Sequence, residues 1–250
     1  MFRDKFLDEV IQMEGKSEYV QEVFTEIADD YDQMNNKMTW GMLKSWQKIV
    51  MQKTQLKTGD KGLDVCCGTG EMAFQQREIV GPTGEVVGLD FTQSMLDVAN
   101  QKLENYRYKN VSFVQGDAMA LPFEDESFHA ATNGFALRNV LDIQKTIDEM
   151  ARVTKPGGRV VCIDVSVPKF FLFRWFFNIY YYKIVPIMGH AVDKNKKIAS
   201  KFPAYTWLAE SLKTLPPQDE IKQMFINAGL KDVDYKGVGF GASTIYWGTK

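Results

Sequence analysis

The stretch Leu63-Asp64-Val65-Cys66-Cys67-Gly68-Thr69-Gly70-Glu71-Met72-Ala73 constrains this chain more than any other. An apolar run stops at a G-x-G-x-x-A spacing and passes at once into MAFQQREIV, whose apolar residues recur three and four apart. Strand, tight turn and helix are thereby expected in immediate succession. Gly68 and Gly70 let the backbone turn sharply and leave bare main chain at a helix N-terminus, where a ligand can approach. The turn does not by itself name that ligand. Nicotinamide and flavin enzymes use the same spacing, and a plain strand-to-helix connection needs no ligand.

The same unit then repeats. The runs GLDVCC, EVVGLD, VSFVQGD, FHAATNGF and RVVCIDVS alternate with helical patterns in MAFQQREIV, SMLDVANQKLENY and IQKTIDEMARVT. That alternation predicts βαβ units and a parallel sheet. Lys155-Pro156-Gly157-Gly158 reads as the stop of the last of these helices, since proline cannot continue a helix and glycine permits left-handed backbone. A further helix ended by Gly229 precedes two strand-like runs. The expectation is an α/β, Rossmann-like, mostly parallel seven-stranded sheet flanked by helices.

Two regions stand outside the repeat. Residues 1–60 form a helical preface, with Val20, Val23, Phe24, Ile27 and Tyr31, then Met42, Leu43, Trp46, Ile49 and Val50, at helical spacing. Residues 61–250 form the main domain, carrying an inserted cap at 169–215. The stretch 170–189 holds nine aromatic residues. A lipid-facing cover, a helix packed on the sheet and a dimer interface are all open readings of it. Length, Arg174 and Lys183 exclude a membrane-spanning helix there.

Charge and residue counts remove several function classes. Lys plus Arg number 30 against 32 Asp plus Glu, so no basic excess is available for nucleic acid. Two histidines, with cysteines only at 66, 67 and 162, offer neither a metal-ligand spacing nor a disulfide framework. The N-terminus carries acids and lacks an apolar core followed by small residues, so it does not read as a signal peptide. A cytoplasmic protein is expected, with peripheral contact at the inner face of a membrane, and a homodimer, left open.

Two acids sit where ligands bind α/β sheets. Asp90 ends the second strand 20 residues past Gly70, a spacing that suits a carboxylate accepting from both ribose hydroxyls. Helix capping is its rival role, because Thr92 and Ser94 follow. Asp117 ends the third strand before Ala118, Met119 and Leu121-Pro122-Phe123. An acid there can take an adenine amino group between apolar neighbours, or simply cap a surface turn.

LDVCCGTGEMA, GLD, GDAMALPF and KPGGRV together resemble the signature series of class I S-adenosylmethionine-dependent methyltransferases. Val23-Phe24-x-x-Ile27-Ala28-x-x-Tyr31-Asp32-x-Met34-Asn35, Phe135-Ala136-Leu137-Arg138-Asn139-Val140, Tyr205-x-x-Leu208-x-x-Ser211 and Ala228-Gly229-Leu230 further resemble the menaquinone and ubiquinone C-methyltransferases, over 19–250. The resemblance implies methyl transfer to a ring carbon of a polyprenyl hydroquinone such as demethylmenaquinol. It implies S-adenosylmethionine held around Asp64, Gly68, Thr69, Gly70, Asp90, Phe91, Asp117, Ala118 and Gly134. Arg138, Asn139 and Tyr31 are the expected catalytic residues. Arg138 stabilises a ring oxyanion or positions water, and a salt bridge to Asp142 or another surface acid is its plain alternative. For Tyr31 that alternative is a core tyrosine.

The chain departs from the family pattern at several points. Glu71 stands where the family often has Asp, His129 where Asp usually leads the fourth strand, Asp164 where Glu is commoner, Tyr246 where relatives tend to have His, and Thr249 where they tend to be aromatic. These changes are expected to fall nearer the acceptor than the cofactor. Competing readings are a methyltransferase of another apolar small molecule, a nicotinamide-dependent oxidoreductase, and a non-catalytic cofactor-binding subunit of a membrane biosynthetic complex.

Overall fold

Three central strands bury nearly every residue, and a strand hidden on both faces requires helices on both sides of its sheet. They are β1 (Lys61–Val65), β2 (Glu85–Asp90) and β4 (Phe128–Gly134). The computed structural model describes residues 16–106, 108–185, 187, 207–208 and 210–250. The acidic N-terminal segment 1–15, Gly189 at the end of the aromatic stretch, and Tyr205 lie outside them.

With β3 (Val111–Gln115), β5 (Thr154–Val165), β6 (Lys231–Val238) and β7 (Ser243–Thr249), the strands form one seven-stranded sheet in the order β3-β2-β1-β4-β5-β7-β6. Strands β1 to β5 pair in parallel, whereas β7 runs antiparallel to both β5 and β6. Between β1 and β4 the winding direction reverses, and in such sheets the crevice beyond the strand ends at that point is where ligands bind. Val65 lies in register with Leu89 on one side and Asn133 on the other. The glycine turn, Asp90 and Gly134 therefore reach the same edge.

The crossovers are α4 (Glu71–Val80), α5 (Gln93–Tyr106) and α6 (Ile143–Val153), and α8 (Gln218–Asn227) leads into β6. Preceding them, α1 (Lys16–Ile27), α2 (Tyr31–Met38) and α3 (Leu43–Thr54) form the preface. Its two parts pack differently. Trp46, Val50 and Met51 of α3 join Met72, Val161, Ile163 and Ile245 on the sheet. Val23, Ile27, Ala28 and Met34 instead pack on Met95 of α5 and on Trp207 and Leu208, away from the sheet. Helices α1 and α2 thus arch over the strand ends.

Two expectations change. Lys155-Pro156-Gly157-Gly158 is not a linker ahead of the fifth strand: β5 already begins at Thr154, paired with Phe128, and the four residues form a bulge before pairing resumes at Arg159. The Gly157 amide donates to the Lys250 carbonyl at 3.0 Å, which ties the bulge to the end of β7. The helix in the aromatic stretch, α7 (Phe171–Ile179), does not pack on the sheet, because Phe177 alone of its nine residues is buried. A single π-helical turn, Tyr180–Ile184, follows it.

Candidate functional site

Beyond Val65 the backbone enters left-handed conformations at Cys66, Gly68 and Gly70. A Cβ at Gly70 would stand 2.7 Å from the Phe113 ring, so glycine there serves both the turn and the packing of α4 against β3. The Gly68 amide donates to Asp90 Oδ2 at 2.8 Å, and the Thr92 amide donates to Oδ1 at 2.8 Å. Asp90 organises the turn after β2, and it lines the crevice. Burial pushes its carboxyl up from the usual range, while those backbone amides and the Thr92 side chain pull the other way.

Asp117 accepts from the Met119 amide at 2.8 Å and lines the same crevice with Gly116 and Ala118. Phe91, 44% exposed, and Gly134 complete the strand-end contribution. The roof comes from Ser17, Val20 and Phe24 of α1 and Tyr31 of α2. The cavity is about 120 Å3.

Three expected cofactor residues do not line it. Asp64 is fully buried inside β1, where its carboxylate accepts from the Thr132 hydroxyl at 2.7 Å and from the Ala73 backbone. Burial lifts its pKa to about 7 against those two hydrogen bonds. Thr69 is also buried and donates its hydroxyl to Asp32 Oδ1 at 2.6 Å. Gly70 is covered by Phe113 and Phe74. These residues shape the turn from behind.

A second cavity of about 460 Å3 adjoins the first. Its walls are almost wholly apolar, drawn from α2, α3, α7 and the β6–β7 connection, and Arg138 is the one charged residue among those that line it. Tyr31 and Phe135 belong to both cavities. Phe135 follows Gly134 directly, holds a left-handed φ of 59°, and is fixed by its amide donating to the Ile163 carbonyl at 2.7 Å. The Tyr31 ring meets Phe24 edge-on with centroids 5.9 Å apart, and its Cε1 lies near Gly68. Tyr31 packs against the Val23, Ile27 and Met34 cluster, as the plain core reading has it, and also lines both cavities.

Arg138 is 4% exposed and does not pair with Asp142, which instead caps α6 by accepting from the Lys145 amide at 2.9 Å. Its partner is the fully buried Asp164, one residue from the end of β5. The guanidinium also donates to the Phe135 carbonyl at 2.7 Å and to the Ser211 hydroxyl at 3.2 Å. Burial disfavours its charged form more than any single neighbour favours it, but Asp164, Tyr181 and Tyr31 together outweigh burial and hold the guanidinium above its ordinary range. Asn139 lines the first cavity, and its Oδ1 accepts from the Trp207 indole at 3.1 Å.

The family departures separate in space. His129, Tyr246 and Thr249 line neither cavity. Lys61 donates its amide to His129 Nδ1 at 2.9 Å, Tyr246 is buried in the core beside Phe225 and Tyr235, and Thr249 accepts from Arg159 at the end of β7. The expectation that they fall near the acceptor is overturned for these three. Asp164 alone, beneath Arg138, bears on the second cavity.

Other contributors carried little sequence signal. Lys16 is 7% exposed and donates to the carbonyls of Val140 at 2.8 Å and Arg138 at 3.3 Å, seating α1 on the loop after β4. Lys102 of α5 pairs with Asp32 and with Glu71 and donates to the Thr69 carbonyl at 3.2 Å, joining α2 to the glycine turn. A lysine on an amphipathic helix ordinarily reads as a solvated charge, and the partners of both are distant in the chain.

The fold is that of S-adenosylmethionine-dependent methyltransferases. Solved neighbours include such a methyltransferase from Aquifex aeolicus, at TM-score 0.58 and 19% identity over 81% of this chain and 88% of that one. Another, from Thermotoga maritima, matches at TM-score 0.59 and 18% identity over 91% and 98%. Residues 12–250 match the ubiE/COQ5 methyltransferase family, and the chain belongs to it. Its relatives include the demethylmenaquinone methyltransferases of Oceanobacillus iheyensis, 42% identical over 94% of this chain and 97% of the relative, and Geobacillus kaustophilus, 41% identical over 95% and 99%.

Proposed function

We propose that this enzyme transfers a methyl group from S-adenosylmethionine to a ring carbon of a polyprenyl hydroquinone of the demethylmenaquinol type. The observation that carries the proposal is the shared wall: a crevice edged by strand-end acids and an apolar cavity with one charged residue meet at Tyr31 and Phe135. The names of the relatives at 41–42% identity support the acceptor.

The donor set suits the cofactor. Asp90 can accept from ribose hydroxyls and Asp117 from an adenine amino group. Phe91 and Ala118 offer apolar surface to the ring, and Gly68 leaves bare backbone beside them. When bound there, S-adenosylmethionine supplies an electrophilic methyl group on a sulfonium. The protein's own work is to bring an electron-rich carbon in line with it, and holding two reacting atoms about 3–3.5 Å apart supplies much of the acceleration.

Arg138 faces the apolar cavity as a permanent cation, and a cation near a ring hydroxyl favours its phenolate form, which raises electron density at the neighbouring carbon. Asp164, Ser211 and the Phe135 carbonyl hold the guanidinium in one orientation. Since Arg138 cannot give up its proton near neutral pH, it is not the base that takes the ring proton. The aromatic walls accommodate the prenyl tail, placing the protein in peripheral contact with the membrane that holds such a substrate.

Incubating the purified enzyme with methyl-labelled cofactor and chemically reduced demethylmenaquinone tests this directly. Label in the extracted quinone is expected. Cofactor binding without label in that quinone would overturn the acceptor and favour another apolar small molecule.

A further inference from the structure

We infer that the face around the mouth of the apolar cavity docks on an anionic lipid bilayer, so that the acceptor's tail passes from the bilayer into the cavity without crossing water. The second half of this statement rests on the polyprenyl acceptor proposed above; the docking itself does not.

Six residues both line the cavity and stand out from the protein: Trp40, Met42, Phe173, Phe176, Ile184 and Phe240, at exposures from 38% to 77%. They come from three separate segments yet form one surface. Phe173 and Phe240 have ring centroids 4.9 Å apart, and Trp40 and Tyr180 6.3 Å. Helix α7 extends this surface with Phe171 at 67% and Trp175 at 57% exposure. Single exposed apolar residues are ordinary, but a contiguous aromatic face framing a cavity marks a binding surface. Among the described residues no helix is long and apolar enough to cross a membrane, so α7 lies along the interface rather than through it.

Charge identifies the partner. The chain as a whole is slightly acidic, at −2, yet residues 33–59 and 165–185 contain no Asp or Glu. The same segments carry exposed Lys37, Lys44, Lys48, Arg174 and Lys183. Exposed cations on the same segments as a protruding aromatic face, with no acid among them, are the pattern of an amphipathic surface that enters lipid headgroups. A second copy of this chain fits poorly, because a two-fold interface sets a patch against itself and would bring these cations together.

Co-sedimentation of the full chain with vesicles of phosphatidylcholine, alone or with one third phosphatidylglycerol, tests the inference. Binding is expected to the anionic vesicles and to be much weaker to the neutral ones. Each cation near an anionic surface contributes roughly five-fold to partitioning, so Lys44→Gln with Lys48→Gln should lower it by about 25-fold. Phe171→Ser with Trp175→Ser, which removes two exposed rings outside the cavity wall, should lower it by about ten-fold or more. Both variants should keep wild-type turnover on a water-soluble short-chain quinol. Absent vesicle binding, equal binding to neutral vesicles, insensitivity to both variants, or a dimer dissociated by the Phe171 and Trp175 changes would each overturn the docking surface. The acceptor is read separately. Vesicle binding without methylation of demethylmenaquinol leaves docking standing and removes the acceptor, and methylation in detergent without vesicle binding does the reverse.

Discussion

Asp64 gives the structure its sharpest pH signature. Its carboxyl lies inside β1 with a pKa of about 7, against an ordinary 3.8, because burial opposes the charge more than Thr132 and Ala73 support it. A carboxyl whose pKa is raised by folding binds protons more tightly in the native state, so its cost is absent below about pH 4, grows as pH rises through the window to 7, and stays constant above. With those two values, ionising Asp64 costs about 2 kcal/mol of stability at pH 5 and about 4 kcal/mol at pH 8. Asp64→Asn removes this dependence. The amide also sets an Nδ2 donor among groups that donate to the carboxylate, which adds a penalty that does not vary with pH. Urea unfolding of both proteins at pH 5 and 8 isolates the titrating part as a difference of differences. The variant should gain about 2 kcal/mol on wild type over that interval. A stability gap that is the same at both pH values would show that Asp64 is ionised normally and that the account of its burial is wrong.

The other perturbations test the second cavity and the arch. Arg138→Met strands Asp164 as an uncompensated buried charge and should cost about 3–5 kcal/mol, whereas adding Asp164→Leu should recover most of that stability and none of the turnover. Restored activity in the double variant would refute a chemical role for the guanidinium. Tyr31→Phe should leave cofactor affinity by calorimetry unchanged and lower kcat by about ten-fold or more, since its side chain lines both cavities. Lys102→Met frees Asp32 and Glu71 from a half-exposed ion network, and should weaken S-adenosylmethionine binding by about five-fold in low salt and less in high salt.

Features written in short stretches of sequence were legible. Alternating strand and helix patterns gave the parallel core, and Gly68, Asp90, Asp117 and Gly134 meet at one edge because each lies at or just past the end of a strand. Asp64 shows the limit of that logic. It stands two residues before the turn and shares the same motif, but a side chain within a strand points into a face of the sheet, and here that face is covered by α4. Tyr246 fails for a related reason. Comparison of residue types suggested a place by the acceptor, whereas its pairing with Cys162 in the middle of β5 puts it in the core. The Arg138–Asp164 pair joins residues 26 apart, and Lys102 reaches Asp32 across 70. No local pattern records such contacts.

What the preface contributes follows from where it does not pack. Had α1 and α2 rested on the sheet, the crevice at the strand ends would stay open and the acceptor would have no wall of its own. They rest instead on α5 and on Trp207, and polar contacts hold them over the opening: Lys16 on the carbonyls after β4, and Lys102 and Thr69 on Asp32. The Lys16 contact falls on the backbone of Arg138, whose side chain faces the other cavity. Seating α1 therefore links, through a single residue, the roof of the first cavity to the cation that lines the second. Tyr31, at the first turn of α2, then forms part of the wall of both cavities. One partly exposed ion pair, Lys102–Asp32, and the two Lys16 contacts thus tie the arch to the strand ends, while its apolar packing on Met95 and Trp207 supplies the rest of its hold.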